Sequence, residues 1–338
     1  MRRPFSSPFL AGALLVLAGA LAAVSTAATP AAASDAEGFT ITDPRITESS
    51  GLAASHQHPG VYWTHNDSDD GPYLYAVDSK TGKTVATVTL SGIGEPRDVE
   101  AISIGPDNHI FVGDIGDNLG GKWDHVWIYE LPEPKELKDQ TVKATQYDVK
   151  YEDGARDAES LAVHPKTGRV YIVSKNEDGG ALYEAPAELS ASSTNVFKRV
   201  AAVDLWATDA AFSPDGKQLA VRGYFNGYAY TWDDKTTGKI KEEGKLSVPL
   251  QPQGESMTYT ADGSALMYGS EGEDSEVKPG ELPGGGSGPS SGGGSSASGG
   301  GSDTGSADLT GNVKVGGVVV LVALAAVFGL SRLRRRGD

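Results

Sequence analysis

Pairs of carboxylates separated by one residue open two short apolar stretches of this sequence. The pairs are Asp98 with Glu100 and Asp157 with Glu159, and Glu255 opens a third stretch in the same manner. Carboxylate oxygens are the usual ligands of Ca²⁺, and carboxyl groups also act as general acids and bases in hydrolysis. The spacing therefore predicts a cation site or a hydrolytic site, provided that the fold brings these residues together.

A second set of polar residues follows the next apolar stretch along the chain. In the segment VGDIGDN, residues 112–118, Asp114 comes directly after the apolar residues and precedes a turn. Comparable loops elsewhere carry further acidic, basic or amide side chains. The predicted metal ligands are Asp98, Glu100, Asp114, Asp157, Glu159, Glu255 and Glu271. The predicted ligand-binding residues are Arg97, Arg156, Lys175, Arg222 and Asn66.

An internal repeat explains why these residues recur. Four stretches align on a turn made of Pro, Asp or Gly: DVEAISIGPDNHIFVGD (98–114), DAESLAVHPKTGRVYIVSK (157–175), ATDAAFSPDGKQLAVRG (207–223) and GESMTYTADGSALMYGS (254–270). Residues 49–66 form a fifth copy with a changed turn. Each copy contains two strand candidates, and a third and usually a fourth candidate follow. Four short antiparallel strands per repeat are typical of the blades of a β-propeller.

The two ends of the repeat region bear on the number of blades. The last copy reaches residues 275–282 and lacks a fourth strand, whereas FTITDPRI (39–46) is a strand candidate with no blade of its own. We expect this N-terminal strand to complete the last blade. The prediction is an all-β fold, a β-propeller of five four-stranded blades closed by the N-terminal strand. Six blades are the alternative, if a divergent copy lies in a longer stretch such as 130–156.

The blade openings also resemble those of a known superfamily. DVEAIS and DAESLA, together with VGDIGDN and IVSKNEDGGALY, resemble the openings of the β-propeller phytases and of related exported phytase-like and SMP-30-like propellers, which are WD40-like. The resemblance covers most of residues 39–282 and suggests an exported bacterial propeller. It implies a superfamily rather than an activity, because this fold hosts many functions.

The repeat predicts where the polar residues lie. The first strand of a propeller blade is innermost, so equivalent residues near its start should meet at one mouth of the central channel; they are Ser50, Glu100, Glu159, Thr208 and Glu255. Carboxylates packed this closely repel one another unless positive charge is nearby. That charge is predicted to come from Arg97 and Arg156, which precede the acidic pairs, or from calcium. A catalytic role for the carboxylates is the third possibility.

Composition and missing motifs exclude several classes of function. The net charge of −16 argues against a nucleic-acid ligand, and the absence of cysteine excludes a cysteine nucleophile and cysteine-based zinc sites. Neither a G-x-S-x-G nor an H-E-x-x-H motif occurs. The sequence predicts a monomeric binding or sensing module for an extracellular protein, a glycan or a phosphorylated small molecule. The alternative is a calcium-dependent, phytase-like phosphoesterase or another propeller hydrolase, such as a glycosidase.

The ends of the chain predict its location. Residues 1–33 resemble a signal peptide, whose Arg2 and Arg3 suit general or twin-arginine export. The ectodomain is predicted at 36–283, a flexible Gly/Ser-rich linker at 284–312, a transmembrane helix at 313–331 and a basic cytoplasmic tail at 332–338. No L-P-x-T-G cell-wall sorting motif precedes the apolar segment. We therefore expect a single-pass protein of a Gram-positive-type cell membrane, with its N-terminal domain outside.

Overall fold

The computed structural model describes residues 36–283 except 68–69, 119, 234 and 236–239. The predicted signal peptide (1–33), linker (284–312), transmembrane helix (313–331) and basic tail (332–338) lie outside these residues. Within the described part of the chain, no helix is long and apolar enough to cross a membrane.

The described residues form 21 β-strands, most of them in four-stranded antiparallel units. The short strand β1 (Phe39–Thr40) comes before the first unit. Unit 1 contains β2 (Ser49–Ala54), β3 (Val61–Asn66), β4 (Tyr73–Asp78) and β5 (Lys83–Ser91). Unit 2 contains β6 (Val99–Ile104), β7 (His109–Asp114), β8 (Val126–Pro132) and, after the separate strand β9 (Gln140–Lys143), β10 (Thr145–Tyr151).

The remaining strands repeat the same order. Unit 3 contains β11 (Ala158–Val163), β12 (Val170–Ser174), β13 (Gly180–Glu184) and β14 (Asn195–Val203). Unit 4 contains β15 (Ala207–Phe212), β16 (Gln218–Gly223), β17 (Gly227–Trp232) and β18 (Ile240–Lys245). Unit 5 contains β19 (Gly254–Tyr259), β20 (Leu266–Ser270) and β21 (Glu276–Gly280), and β1 is its fourth strand.

The units close on one another through their first strands. β2 neighbours β6, β6 neighbours β11, β11 neighbours β15, β15 neighbours β19, and β19 neighbours β2. β1 pairs antiparallel with β21, with Phe39 opposite Val277, as predicted, although only two residues of the predicted strand 39–46 form it. The fold is therefore all-β and propeller-like, which confirms the predicted fold class at this level.

Strands at the outer edge connect units 1 to 3. β9 pairs in parallel with β5, and β10 pairs in parallel with β14 while remaining the fourth strand of unit 2. Residues 130–156, considered above as a place for an extra repeat, thus supply the end of β8 together with β9 and β10. Backbone groups at these edges are paired within the chain, which protects them from pairing with another molecule.

The hydrophobic core lies mainly between neighbouring units. On β5 the buried residues Ala86, Val88 and Leu90 alternate with more exposed ones, as expected for a strand with one covered face. β2, β11 and β12 are buried along their whole length. The first and second strands of the units are thus held firmly, and the polar residues at their ends are placed by a rigid scaffold.

Candidate functional site

A β-bulge in the first strand of every unit sets the position of the predicted channel-mouth residues. The strand register shifts between Ser49 and Gly51, Val99 and Ala101, Ala158 and Ser160, Ala207 and Asp209, and Gly254 and Ser256. The extra residues are Ser50, Glu100, Glu159, Thr208 and Glu255, here called the bulge residues. A bulge re-aims one side chain relative to the rest of its strand. All five are buried, so the same local device acts at each predicted position.

A second set of residues comes directly after the second strand of each unit. These exit residues are Asp67, Ile115, Lys175, Tyr224 and Glu271. The backbone N–H groups of Asp67, Lys175 and Glu271 donate to the carbonyl oxygens of Glu48, Asp157 and Gln253 at 2.9, 2.9 and 2.8 Å. The three side chains therefore start from equivalent points beside the bulge residues.

Lys175 supplies positive charge to one part of the site. Its ammonium group forms an ion pair with Glu159 Oε1, donates to the hydroxyl of Tyr224 at 2.9 Å and lies 5.7 Å from the ring centroid of Trp206. Burial disfavours the ammonium charge, but nearby carboxylates, with Glu159 foremost, outweigh burial and raise the pKa of Lys175 well above its usual range. We call Glu159, Lys175, Tyr224 and Glu255 the lysine sector.

Asp67, Asp98 and Glu100 form an acidic sector next to it. Their carboxylate oxygens lie within 4.8 Å of one another. Burial raises the pKa of Glu100 well above its usual range, and the charges of neighbouring carboxylates, Asp67 first among them, raise it further. Ser50 donates a hydrogen bond to Glu100 Oε2 at 2.9 Å. This sector concentrates negative charge in a place where water is largely excluded.

Gly116 allows the loop after β7 to approach the acidic sector. A Cβ at this position would lie 2.6 Å from Asp98 Oδ2 and 2.8 Å from Glu100 Cγ, which is closer than non-bonded atoms pack. Asn118 in the same loop donates to Asp98 Oδ2 at 3.1 Å. The VGDIGDN segment therefore forms one wall of the acidic sector.

Asp114 and Asn66, both predicted site residues, occupy the last position of a second strand and act alike. The Asp114 carboxylate accepts hydrogen bonds from the backbone N–H groups of Arg97 and Asp98, each at 3.0 Å, and from the Tyr129 hydroxyl at 2.5 Å. The Asn66 side-chain oxygen accepts two backbone hydrogen bonds from residues 47 and 48, both at 3.1 Å. Both side chains thus hold the chain that leads into a first strand, and Asp114 positions Asp98.

The two predicted arginine partners of the acidic pairs make other contacts. The Arg97 guanidinium lies between Trp123 and Trp127, 4.1 and 3.7 Å from their ring centroids. Arg156 forms an ion pair with Asp153 at 2.6 Å. Successive residues of an extended chain point in opposite directions, so an arginine that precedes an inward aspartate is directed away from it. Among the ion pairs of the described residues, the one that involves a bulge carboxylate is that of Lys175 with Glu159.

Asp157 and Arg222 lie on the border of the site. Asp157 accepts a hydrogen bond from the backbone N–H of Asp117 at 2.8 Å, which ties unit 3 to the loop of unit 2. Arg222 is fully buried, and its Nη1 donates to the carbonyl oxygens of Ser256 and Gly269 at 2.8 and 3.1 Å. Burial lowers the pKa of Arg222 to about 10, so it stays charged near neutral pH. Its hydrogen bonds tie unit 4 to unit 5.

Glu271 is the acidic exit residue of unit 5. Gln253 donates a hydrogen bond to its carboxylate. Burial raises the pKa of Glu271 to about 8, and the charge of Glu255 adds to the shift. This carboxyl group therefore changes its protonation close to neutral pH, unlike an ordinary surface glutamate.

Among acidic residues, the sequence-based prediction omitted two that the structure brings to the site or its border. Asp67 was missed as part of the acidic sector, although it shares the exit position with Lys175 and Glu271, and aligning the strand ends would have revealed it. Asp209 is buried on β15 and accepts hydrogen bonds from the backbone N–H groups of Met257 at 2.6 Å and Ala210 at 2.7 Å. The pattern of the chain gave no indication of this contact between two units.

Comparisons with known proteins give no family for this chain. No protein-family model matches it, and no curated protein matches its sequence. Its structure is similar to that of Kuenenia stuttgartiensis hydrazine synthase, with a TM-score of 0.39 and 13% identity over 66% of this chain and 61% of that chain. It is also similar to a chain of the mitotic checkpoint complex, with a TM-score of 0.37 and 13% identity over 68% and 60%. The chain thus spans about three fifths of each, and neither similarity bears on function.

Proposed function

We propose that the protein is a five-bladed β-propeller that acts as a cell-surface binding module, and that a calcium ion at the channel mouth takes part in ligand binding. The single observation that carries this proposal is the convergence of the carboxylates of Asp67, Asp98 and Glu100. The predicted linker and transmembrane helix would hold the module at the outer face of the membrane.

The geometry of the acidic sector suits a hard cation. Calcium binds oxygen ligands at roughly 2.3–2.6 Å, so two oxygens on opposite sides of one ion lie about 4.6–5.2 Å apart. The ligand oxygens of the three carboxylates lie within 4.8 Å of one another and so meet this condition. Burial and then the repulsion of neighbouring carboxylates raise the pKa of Glu100, and bound calcium would offset the repulsion.

A cation held by three carboxylates leaves coordination positions for a ligand. Calcium takes about six to eight oxygens in total, from side chains, backbone carbonyls, water or a bound molecule. An oxygen of a glycan, of a partner protein or of a phosphorylated small molecule would complete the shell. The ion would thereby supply the positive charge that an acidic surface otherwise lacks.

A cavity beside the mouth favours a second candidate, a calcium-dependent phosphoesterase. The cavity has a volume of about 360 Å³, and Lys175, Arg156, Arg199 and Asp157 line it. Its basic side chains suit a phosphate group, and calcium could activate water for attack on phosphorus. Binding is the better supported function because Lys175 and Arg156 already have partners within the protein. Lys175 contacts Glu159 and Tyr224, and Arg156 contacts Asp153, so these contacts compete with a phosphate group.

Calcium titration of the full-length chain tests the metal. Isothermal calorimetry should show one binding event, and at 100 times the dissociation constant calcium should stabilise the fold by about 2.7 kcal/mol. Asp98→Asn should weaken binding at least tenfold, whereas Glu276→Gln, which removes an exposed carboxylate paired with Lys278, should not. If neither calcium nor a chelator changes the melting temperature and no heat is released, the calcium site is wrong.

Phosphate release separates the two candidates. Phytate and a generic phosphoester should remain intact with calcium and with chelator if the protein only binds. Calcium-dependent release that is lost in Asp98→Asn would establish the phosphoesterase instead.

A further inference from the structure

A separate cavity lies at the other end of β7, between units 2 and 3. It has a volume of about 300 Å³, and the residues around it include Asp107, His109, Phe111, Glu130 and Tyr147. Asp114, at the mouth end of the same strand, is five residues from His109 and therefore roughly 16 Å away. A volume of this size is at the lower end of the range for ligand pockets, roughly 300–1,000 Å³, which suits a small molecule.

One wall of the cavity is a hydrogen-bonded chain of three side chains. The Glu130 carboxylate accepts a hydrogen bond from His109 Nδ1 at 2.6 Å and another from the Tyr147 hydroxyl at 2.6 Å. Each of its oxygens therefore has one donor and can accept a second hydrogen bond. Glu130 is held in a fixed orientation, and its side chain remains 22% exposed.

Apolar side chains also line the cavity, and Phe111 is paired directly with Glu130 on the neighbouring strand, on the same face of the sheet. Phe111, Val170 and Ala185 are buried and belong to the core between units 2 and 3, and the partly buried Leu189 packs against them. Such a lining accommodates a hydrocarbon or aromatic group beside the hydrogen-bonded polar chain.

The charged residues around the cavity favour a positively charged ligand. Three carboxylates line it, those of Asp107, Glu130 and Glu188, and neither lysine nor arginine is among its described lining residues. The described lining residue that can carry positive charge is His109, which already donates to Glu130, so an anion would meet mainly repulsion here. A cation would meet the carboxylate of Glu130 and the rings of Phe111 and Tyr147, and aromatic rings attract ammonium groups.

We propose that this cavity binds a small organic ammonium ion, a protonated amine carried on a compact apolar body. The ammonium group bonds to Glu130, and the apolar body packs against Phe111, Val170 and Leu189. The site is independent of the calcium-dependent binding proposed for the channel mouth.

Calorimetry with 2-phenylethylamine and 2-phenylethanol on the full-length chain tests the proposal. The two probes have nearly the same size and shape and differ in charge. The amine should bind at least tenfold more tightly than the alcohol. Glu130→Gln should reduce amine binding at least tenfold, because it removes the charge but keeps an oxygen for Tyr147.

Two control variants make the test specific. Glu184→Gln changes a carboxylate that accepts a hydrogen bond from Tyr171 at 3.0 Å, the same pairing of side chains outside the cavity, and should bind the amine as the wild type does. Asp98→Asn should lose calcium binding but keep amine binding, so failure of one site is distinguishable from failure of the other.

A further variant covers the case in which Glu130→Gln fails to fold. Leu189→Lys places a cation at the cavity without changing Glu130 and should also abolish amine binding. Equal binding of amine and alcohol, no binding of the amine, or unchanged binding in a folded Glu130→Gln or Leu189→Lys variant would each overturn the proposal.

Discussion

The acidic sector and the lysine sector use the same two positions of the repeat but differ in charge balance, because one of the two positions holds a lysine in the lysine sector and an aspartate in the acidic sector. In both, a β-bulge places a glutamate, Glu100 or Glu159, beside an exit residue, which comes from the same unit in the lysine sector and from the preceding unit in the acidic sector. The exit residue is Asp67 in unit 1 and Lys175 in unit 3. One position in the repeat therefore decides whether the positive charge comes from the protein or must come from solution.

The two sectors also differ in how the surroundings hold them. Lys175 is enclosed by Tyr224 and Trp206, whose rings and hydroxyl stabilise an ammonium group. The acidic sector is bordered instead by a glycine, Gly116, and by the amide of Asn118. The lysine sector contains its own cation and stabilises the fold, whereas the acidic sector brings three carboxylates together and is suited to binding a cation.

Removing the internal cation is the strongest test of this difference. Lys175→Met should lower the free energy of unfolding by about 3–5 kcal/mol, because it leaves Glu159 buried without its ion-pair partner. Urea denaturation measures the loss. Lys150→Met, which removes an exposed lysine paired with Asp124 at 3.5 Å, should cost less than about 1 kcal/mol.

The double variant Lys175→Met with Glu159→Gln sharpens the same test. Removing the unpaired carboxylate should restore part of the lost stability. If Lys175→Met is as stable as the wild type, the lysine sector is not held together by its charge, and the contrast between the sectors fails.

Disturbing the support of the acidic sector should have a smaller effect. Asp114→Ala leaves two backbone N–H groups and the Tyr129 hydroxyl without their acceptor, and it should cost about 2–3 kcal/mol in unfolding free energy. Calcium affinity should fall as well, because Asp98 loses its support. Asp114→Asn keeps one oxygen and should cost less. Lost calcium binding with unchanged stability would instead show that Asp114 is itself a metal ligand.

The sequence predicted the features that repeat and missed those that depend on a single contact. The turn signals and alternating strands located the hairpins. They therefore predicted that Glu100, Glu159 and Glu255 occupy equivalent positions near the start of the first strand. They also predicted the pairing of residues 39–46 with the last unit, because a strand without a partner must find one. The same alignment also places Asp67 at the exit position of unit 1, although the prediction did not include it.

The rest of the site depends on side-chain direction and on contacts between distant segments. Arg97 was predicted to neutralise carboxylates, but its guanidinium group packs over the rings of Trp123 and Trp127, on the other side of the chain. The pairing of β9 with β5 joins segments about fifty residues apart and has no local signature. Local periodicity does not contain such information, since it reports only which face of a strand is covered.

Glu271 should make the stability of the fold depend on pH. Its pKa is raised from 4.5 to about 8 in the folded protein, so the folded state holds this proton more tightly than the unfolded state does. The resulting loss of stability is absent below about pH 4.5, grows as the pH rises and is complete above about pH 8. Over this window Glu271 should lower the unfolding free energy by at most about 1.4 kcal/mol per pH unit.

Denaturation of Glu271→Gln between pH 5 and pH 9 measures this contribution. The variant should lose stability less steeply than the wild type over this range, whereas Glu273→Gln, two residues later in the same loop, should behave as the wild type does. Lys175 lowers the pKa of Glu271, so Lys175→Met should move the transition to higher pH. A wild-type slope in Glu271→Gln would show that protonation of this exit residue is not linked to folding, and that the charge balance of the mouth is set by Lys175 and the bulge carboxylates.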